Sequence, residues 1–314
     1  MMKSWLRRFK PAYAVYNFFQ KEKLGHLTEK YKAAGINKRY YSSVSAKDFK
    51  GLPEKKNWLD LSNSQDLLPG DSVFELFSEE HKAELLKWSS NGYVFLSTFF
   101  SEGQVDRVNA DLTELVQSDK ADWRYGKKIM FAHKQVESIK DLAENGPLKQ
   151  ILQMLLGQEL HLFQSINFLQ GSEQKTHSDS IHMSTYPKGN LIAAWVALED
   201  IETDQGPLHY FPGSHLLPYI TNEDYDHGGS GLFLGTRPYD FYEAEIAKGV
   251  AVKGLKKEVF KAKKGDVFIW HANLLHGGEP HYNKELSRKS MVFHYFAAEA
   301  ICYHEITQRP ALID

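Results

Sequence analysis

His161-Leu162-Phe163-Gln164-Ser165-Ile166-Asn167-Phe168-Leu169 is the stretch at which the hydrophobic period of this chain changes. From here on, apolar residues come in short runs rich in β-formers, at 161–169, 191–198, 207–211, 266–270 and 290–297. Gly, Pro, Asn and Asp turns separate them. Short strands with turn punctuation and no helices alternating between them predict an antiparallel sandwich or jelly roll.

On the N-terminal side of that boundary the period is helical. A helix is predicted over 79–89, after which Gly92 turns into a short strand, Tyr93-Val94-Phe95-Leu96. Ser101 and Gln104 fit a capping box, followed by Val105, Val108, Leu112 and Leu115 at helical spacing. A third helix is predicted over 148–156, ending near Gly157. The fold class expected is therefore mainly β with flanking helices. Residues 1–72 read as a basic, aromatic-rich arm and connector, irregular over 42–72, and residues 73–314 as the β domain. Within that domain an insertion at about 218–264 carries Tyr219, Tyr225, Phe233, Tyr239, Phe241 and Tyr242; long insertions in compact β domains are often lids over a site.

The chain has 314 residues, 42% apolar and 25% charged, which excludes disordered and collagenous classes. No run approaches the length of a transmembrane helix, and the start lacks a continuous apolar core and cleavage site of a signal peptide. A single cysteine, Cys302, cannot pair within the chain, and these features together are those of a cytoplasmic protein. The net charge of −2 conceals an asymmetry: residues 1–60 hold 14 Lys or Arg against 5 Asp or Glu, so the remainder is acidic. An acidic body argues against nucleic acid as a partner. In the arm, Trp5, Phe9, Ala12, Tyr13, Tyr16 and Phe19 fall in one arc of a helix bent at Pro11, with Arg7, Lys10 and Lys21 opposite. That stripe either packs on the body or meets a membrane surface or a partner. Nothing in the sequence sets an oligomeric state.

Chemistry is concentrated in three places. In His177-Ser178-Asp179 the two-residue spacing puts imidazole and carboxylate on one side of an extended segment, where they can share a cation. About one such pair is expected by chance at this composition, so the pair needs a third ligand; by itself it also reads as a loop histidine beside a turn-capping aspartate. His276 follows the strand-like run Gly265-Asp266-Val267-Phe268-Ile269-Trp270 and precedes Gly277-Gly278, with His271 as its competitor. Two histidines and one carboxylate on one face of a metal, with other positions open, suit non-haem Fe(II). Third, Arg288, Ser290, Val292 and His294 share one face of a strand. A guanidinium turned into a pocket requires an anion, its fork suits a carboxylate, and the Ser290 hydroxyl adds a donor.

The order of these elements resembles the phytanoyl-CoA dioxygenase-like family of Fe(II)- and 2-oxoglutarate-dependent oxygenases, over roughly residues 79–297. The resemblance rests on Asn91-Gly92-Tyr93-Val94-Phe95-Leu96, the helix starting at Ser101, His177-Ser178-Asp179 and Ala194-Trp195-Val196-Ala197-Leu198. It continues through Gln205-Gly206-Pro207-Leu208, Phe211-Pro212-Gly213-Ser214-His215, Gly265-Asp266-Val267, His276-Gly277 and Arg288. It implies a double-stranded β-helix, the cupin-like jelly roll. It also implies that His177, Asp179 and His276 hold iron and that Arg288 binds the distal carboxylate of 2-oxoglutarate, with O2 as the second co-substrate. Trp195 and Gln164 are implied as co-substrate contacts, and the Pro-Gly-Ser-His stretch as a structural turn. Relatives often carry a polar residue where Gly278 stands; by the resemblance a co-substrate hydrogen bond is either missing here or supplied by Ser290. The presence of Asp179 favours hydroxylation of an unactivated C–H, with release of succinate and CO2, over halogenation. Two other readings stay open on sequence: a catalytically silent β-helix that binds a small molecule or partner, and a cupin-type enzyme using another divalent metal. The substrate class expected is a small organic molecule.

Overall fold

The computed structural model describes residues 8–53, 60 and 63–313. Thirteen strands are found among them: β1 Tyr93–Leu96, β2 Trp123–Arg124, β3 Lys128–Met130, β4 Leu160–Phe168, β5 Ser184–Tyr186, β6 Leu191–Ala197 and β7 Leu208–Tyr210. They continue with β8 Glu258–Phe260, β9 Val267–His271, β10 His276–Gly278, β11 Ser290–Ala297, β12 Ile301–His304 and β13 Arg309–Pro310. The five β-rich runs of the sequence become β4, β6, β7, β9 and β11. The very short strands β2, β3, β5, β8, β10, β12 and β13 carry too few residues for a period to show.

The large sheet has the order β1-β9-β6-β11-β4-β3-β2, and a smaller sheet β10-β7-β8 faces it; every pairing is antiparallel. This is the jelly roll. Alternation along the strands sorts side chains onto two faces. Ile166, Phe168, Trp195, Phe268, Trp270 and Val292 point inward and meet Leu208, Tyr210 and Phe260 of the small sheet. Val196, Ile269, Met291, Phe293 and Tyr295 point outward against the helices Glu102–Gln117, Glu137–Ala143 and Gly146–Leu156. Each large side chain fully buried in this way stabilises the fold by roughly 1.5–3 kcal/mol.

The helix over 79–89 divides into Glu79–Leu85 and Trp88–Asn91, and the second piece ends on Gly92 at φ +75°. A Cβ there would stand 2.3 Å from the His215 ring. His215 Nε2 bonds Ser89 O and Gly213 N–H bonds Asn91 O. The Pro212-Gly213-Ser214-His215 turn therefore locks the entry to β1, which is a structural role. The capping box at Ser101 and the helix end at Gly157 form as expected.

The arm differs in one respect. Pro11 opens the helix Lys10–Phe18 rather than bending it: it stands in the first turn, where a backbone N–H has no helical carbonyl to bond and its absence costs nothing, and Phe9 just before the helix is extended, bridging to Phe233. Trp5 and Arg7 lie outside the described residues. Leu24, Leu27, Tyr31, Val44 and Phe49 pack with Ile301 and Tyr303 of the third sheet, β13-β12-β5. Among the described residues no helix is long and apolar enough to cross a membrane.

Candidate active site

The small sheet extends by one bridge that brings two of the expected ligands together. His177 and His276 bond backbone to backbone in both directions at 2.9 Å, so their rings emerge side by side, centroids 4.5 Å apart. Asp179, opening the short turn Asp179–Ile181, completes the group; its Oδ1 lies 3.9 Å from His177 Nε2 and 3.8 Å from His276 Nε2. The three ligand atoms lie within 4.8 Å of one another, all from buried residues, and form a group able to hold a metal ion.

The surrounding hydrogen bonds fix which atoms face the centre. His177 Nδ1–H donates to Lys175 O at 2.9 Å and His276 Nδ1–H to Leu274 O at 3.0 Å. Each ring thus carries its proton on Nδ1 and turns an unprotonated Nε2 toward Asp179, the arrangement metal-ligating histidines adopt. Burial holds both histidines below their ordinary pKa, which keeps them neutral. Burial alone would raise the Asp179 carboxyl, but His276 and His294 outweigh it and leave the group ionised, well below the usual carboxylate range. Its second oxygen, Oδ2, accepts from Trp270 Nε1 at 2.7 Å and lies 3.3 Å from His294 Nε2.

Arg288 stands just before β11, whose Ser290 pairs with Ala197 of β6 and Phe168 of β4. It is buried, donates from Nη1 to Ser290 Oγ at 2.6 Å, and lies 5.1 Å from the centre of the Trp195 ring. Its Nε has no partner, and burial pushes the guanidinium down to about 10. A buried cation with an idle donor is the counterpart of an anionic ligand. Gln205, of the Gln-Gly-Pro motif, steadies this segment by donating to Ser287 O at 2.8 Å.

Gln164 faces the same interior, its amide nitrogen 3.3 Å from His294 Nδ1 and 3.1 Å from Met183 Sδ. Its reach to Asp179 thus runs through His294. His271 is turned away, held by Asp60 at 3.3 Å and by the Asn273 N–H. A Cβ at Gly278 would stand 2.6 Å from Ser172 Oγ and 3.0 Å from Glu173 N, so a side chain there would require the Ser172 hydroxyl to move.

Sequence reasoning missed four neighbours. Trp270 and His294 hold Asp179, and strand parity places both on the inward face; parity alone does not say which face is inward. Lys128 and Gln174 had no such signal. Lys128, on the three-residue β3, donates to Gln174 Oε1 at 2.8 Å, and the Gln174 amide nitrogen lies 3.0 Å from His177 Nε2.

The insertion is fastened to the ligand loop. Within its helix Tyr239–Lys253, the Tyr242 hydroxyl accepts from the Ser178 N–H at 3.0 Å and Tyr239 Oη lies 2.9 Å from His182 Nε2. Glu243 pairs with Lys175 at 2.6 Å, and Ile246 packs with Ile181. One helical face thus grips residues 175–182 on both sides of the ligands.

With this geometry in place, the sequence matches the family model described as phytanoyl-CoA dioxygenase over residues 88–290, about two thirds of the chain. The chain belongs to the phytanoyl-CoA dioxygenase family. The phytanoyl-CoA dioxygenase domain-containing protein 1 homolog of Caenorhabditis briggsae is 28% identical over 212 residues, 62% of this chain and 71% of that protein. Two solved structures share the fold. The non-heme alpha ketoglutarate dependent carbocyclase SnoK from nogalamycin biosynthesis superposes with TM-score 0.57 at 19% identity, covering 74% of this chain and 89% of its own. The apoform of EctD from S. alaskensis gives 0.58 at 21%, covering 78% and 85%. The phytanoyl-CoA dioxygenase match runs from the helix Trp88–Asn91 through Ser290, and so contains the three clustered ligands and Arg288.

Proposed function

We propose that this chain is an Fe(II)- and 2-oxoglutarate-dependent oxygenase that hydroxylates an unactivated C–H of a small organic substrate. The observation that carries this reading is the pairing of a neutral His–carboxylate–His group with a buried, incompletely partnered Arg288 in one barrel. The donor set fits Fe(II): two imidazole nitrogens and one carboxylate oxygen leave positions for other ligands. Bound there, the iron with 2-oxoglutarate and O2 supplies oxidation of a C–H bond, with release of succinate and CO2.

The chain's own residues then have separable roles. Lys175 O and Leu274 O hold the His177 and His276 rings with Nε2 forward. Trp270 and His294 occupy Asp179 Oδ2 so that Oδ1 serves the metal. Arg288, with Ser290, grips the distal carboxylate, and Trp195 forms the apolar wall beside it. Gln164 orients His294. Residues 73–314 act as the catalytic unit, with 1–72 as an arm upon it. Hydroxylation is our proposal within a fold that also supports other outcomes, as in the carbocyclase SnoK.

Anaerobic titration of the purified protein with Fe(II) and 2-oxoglutarate tests the reading. A weak visible charge-transfer band is expected, followed by substrate-dependent succinate release when compound pools and O2 are added. A silent binding protein gives neither. A cupin-type enzyme independent of the ketoacid keeps its turnover in Arg288→Ala, whereas here that variant loses its response to 2-oxoglutarate.

A further inference from the structure

The apolar arc of the arm is split by the fold. Phe9 meets the Phe233 ring with centroids 5.3 Å apart, and Arg309 lies over Tyr13, so these two rings anchor the helix to the body. Val15, Tyr16, Phe18 and Phe19 are turned outward, with 61%, 53%, 52% and 76% of their surface exposed. They sit within five consecutive residues, at and just beyond the end of the helix Lys10–Phe18. Ala12, Val15, Tyr16 and Phe19, all exposed, mark one face of it. Scattered exposed apolar residues need no explanation, but a projecting cluster does.

Charge around the cluster is mostly positive, with Glu22 the acid nearest to it in sequence. Lys21, two residues beyond Phe19, is exposed. Arg39 donates to the Tyr41 hydroxyl, and the Tyr41 ring lies 5.5 Å from that of Phe18. Across residues 8–41 there are eight Lys or Arg against two Glu, while the chain beyond residue 60 is net acidic. Four side chains on so short a helix offer much less than the roughly 800 Å² that each partner gives to a stable protein interface. They suit insertion at the level of lipid headgroups, where aromatic rings sit among apolar tails and cations above them meet anionic lipid.

We propose that the arm docks this protein on anionic membranes, with Phe18 and Phe19 as the inserting tip and Lys21 and Arg39 as the electrostatic contacts. This stands independently of the chemistry of the metal centre.

The test is sedimentation of the full-length protein with vesicles of phosphatidylcholine alone, or of phosphatidylcholine and phosphatidylglycerol in equal parts. Binding to the acidic vesicles only, weakened by salt, is expected. Phe19→Ser and the charge reversal Lys21→Glu/Arg39→Glu should each weaken it by about tenfold or more. Phe19 is so exposed that its variant should melt like the parent, which separates lost docking from lost folding. The proposal is overturned if the parent ignores acidic vesicles, if neutral vesicles bind equally well, or if Phe19→Ser binds like the parent. It is equally overturned if light scattering shows a dimer that Phe19→Ser dissociates, because the occupant of the patch is then a second copy.

Discussion

The indole N–H of Trp270 lies 2.7 Å from Asp179 Oδ2, and this contact decides which oxygen of Asp179 is left for the two histidines. Trp270→Phe keeps a ring in the inner core and removes the donor. Metal affinity should fall by about 10- to 100-fold, measured by anaerobic Fe(II) titration or by calorimetry with Mn(II), and the metal-free protein should lose about 1.5–3 kcal/mol of stability with the bond to the buried carboxylate.

Tyr242 acts one layer further out. In Tyr242→Phe the buried Ser178 N–H, between His177 and Asp179, loses its acceptor, at a cost of about 1–3 kcal/mol in unfolding free energy. Urea denaturation measures that loss, and a parallel titration should show weaker metal binding. If the insertion were a freely moving lid, neither quantity would change.

Arg288 sets stability against ligand binding. Replacing it with Met removes a buried cation whose Nε has no partner. The variant should melt at or above the parent temperature when ligand-free, as expected when a costly buried charge is replaced by an apolar side chain. It should also lose the rise in melting temperature that saturating 2-oxoglutarate gives the parent. Thermal scans with and without the ketoacid check both parts.

Glu305 introduces a pH dependence remote from the metal ligands. Its carboxylate accepts from Ala46 N–H at 2.8 Å and Asn222 N–H at 3.1 Å, joining the arm and the insertion behind β12. Burial raises its pKa from 4.5 to about 7, outweighing those two bonds, with Asp48 and Glu223 adding to the rise. An acid raised on folding favours the native state while it is protonated. Stability is therefore greatest below the unfolded value and falls as the pH rises from about 4.5 to 7, by about 3 kcal/mol. Glu305→Gln should flatten that part of the stability–pH curve, measured by denaturant melts across the range.

The outline of the barrel was legible because β4, β6, β9 and β11 carry enough residues for β-formers to register, and turn residues bracket the shorter β7. His177, Asp179, His276 and Arg288 stood out as candidates by residue type and strand context, and the family resemblance is what joined them into one site. What was not legible was three-dimensional. That Gln164 meets His294 emerges only when β11 is placed beside β4. The three-residue β3 hides Lys128, and the insertion's grip on Ser178 links residues 64 positions apart. The break in the 79–89 helix is equally silent, since Leu86 and Lys87 are both good helix formers.

The backbone bridge between His177 and His276 makes the cation more than a reagent. An ion shared by those two rings ties off a loop of about a hundred residues that includes β6, β7, β9 and the whole insertion, and fastening so long a loop restricts the unfolded chain far more than the folded one. Stripping the metal should thus untie the architecture as well as silence the chemistry: amide protons at the mouth of the barrel would exchange faster with solvent, and the fastened helix over Ser178 would be among the first elements to work loose.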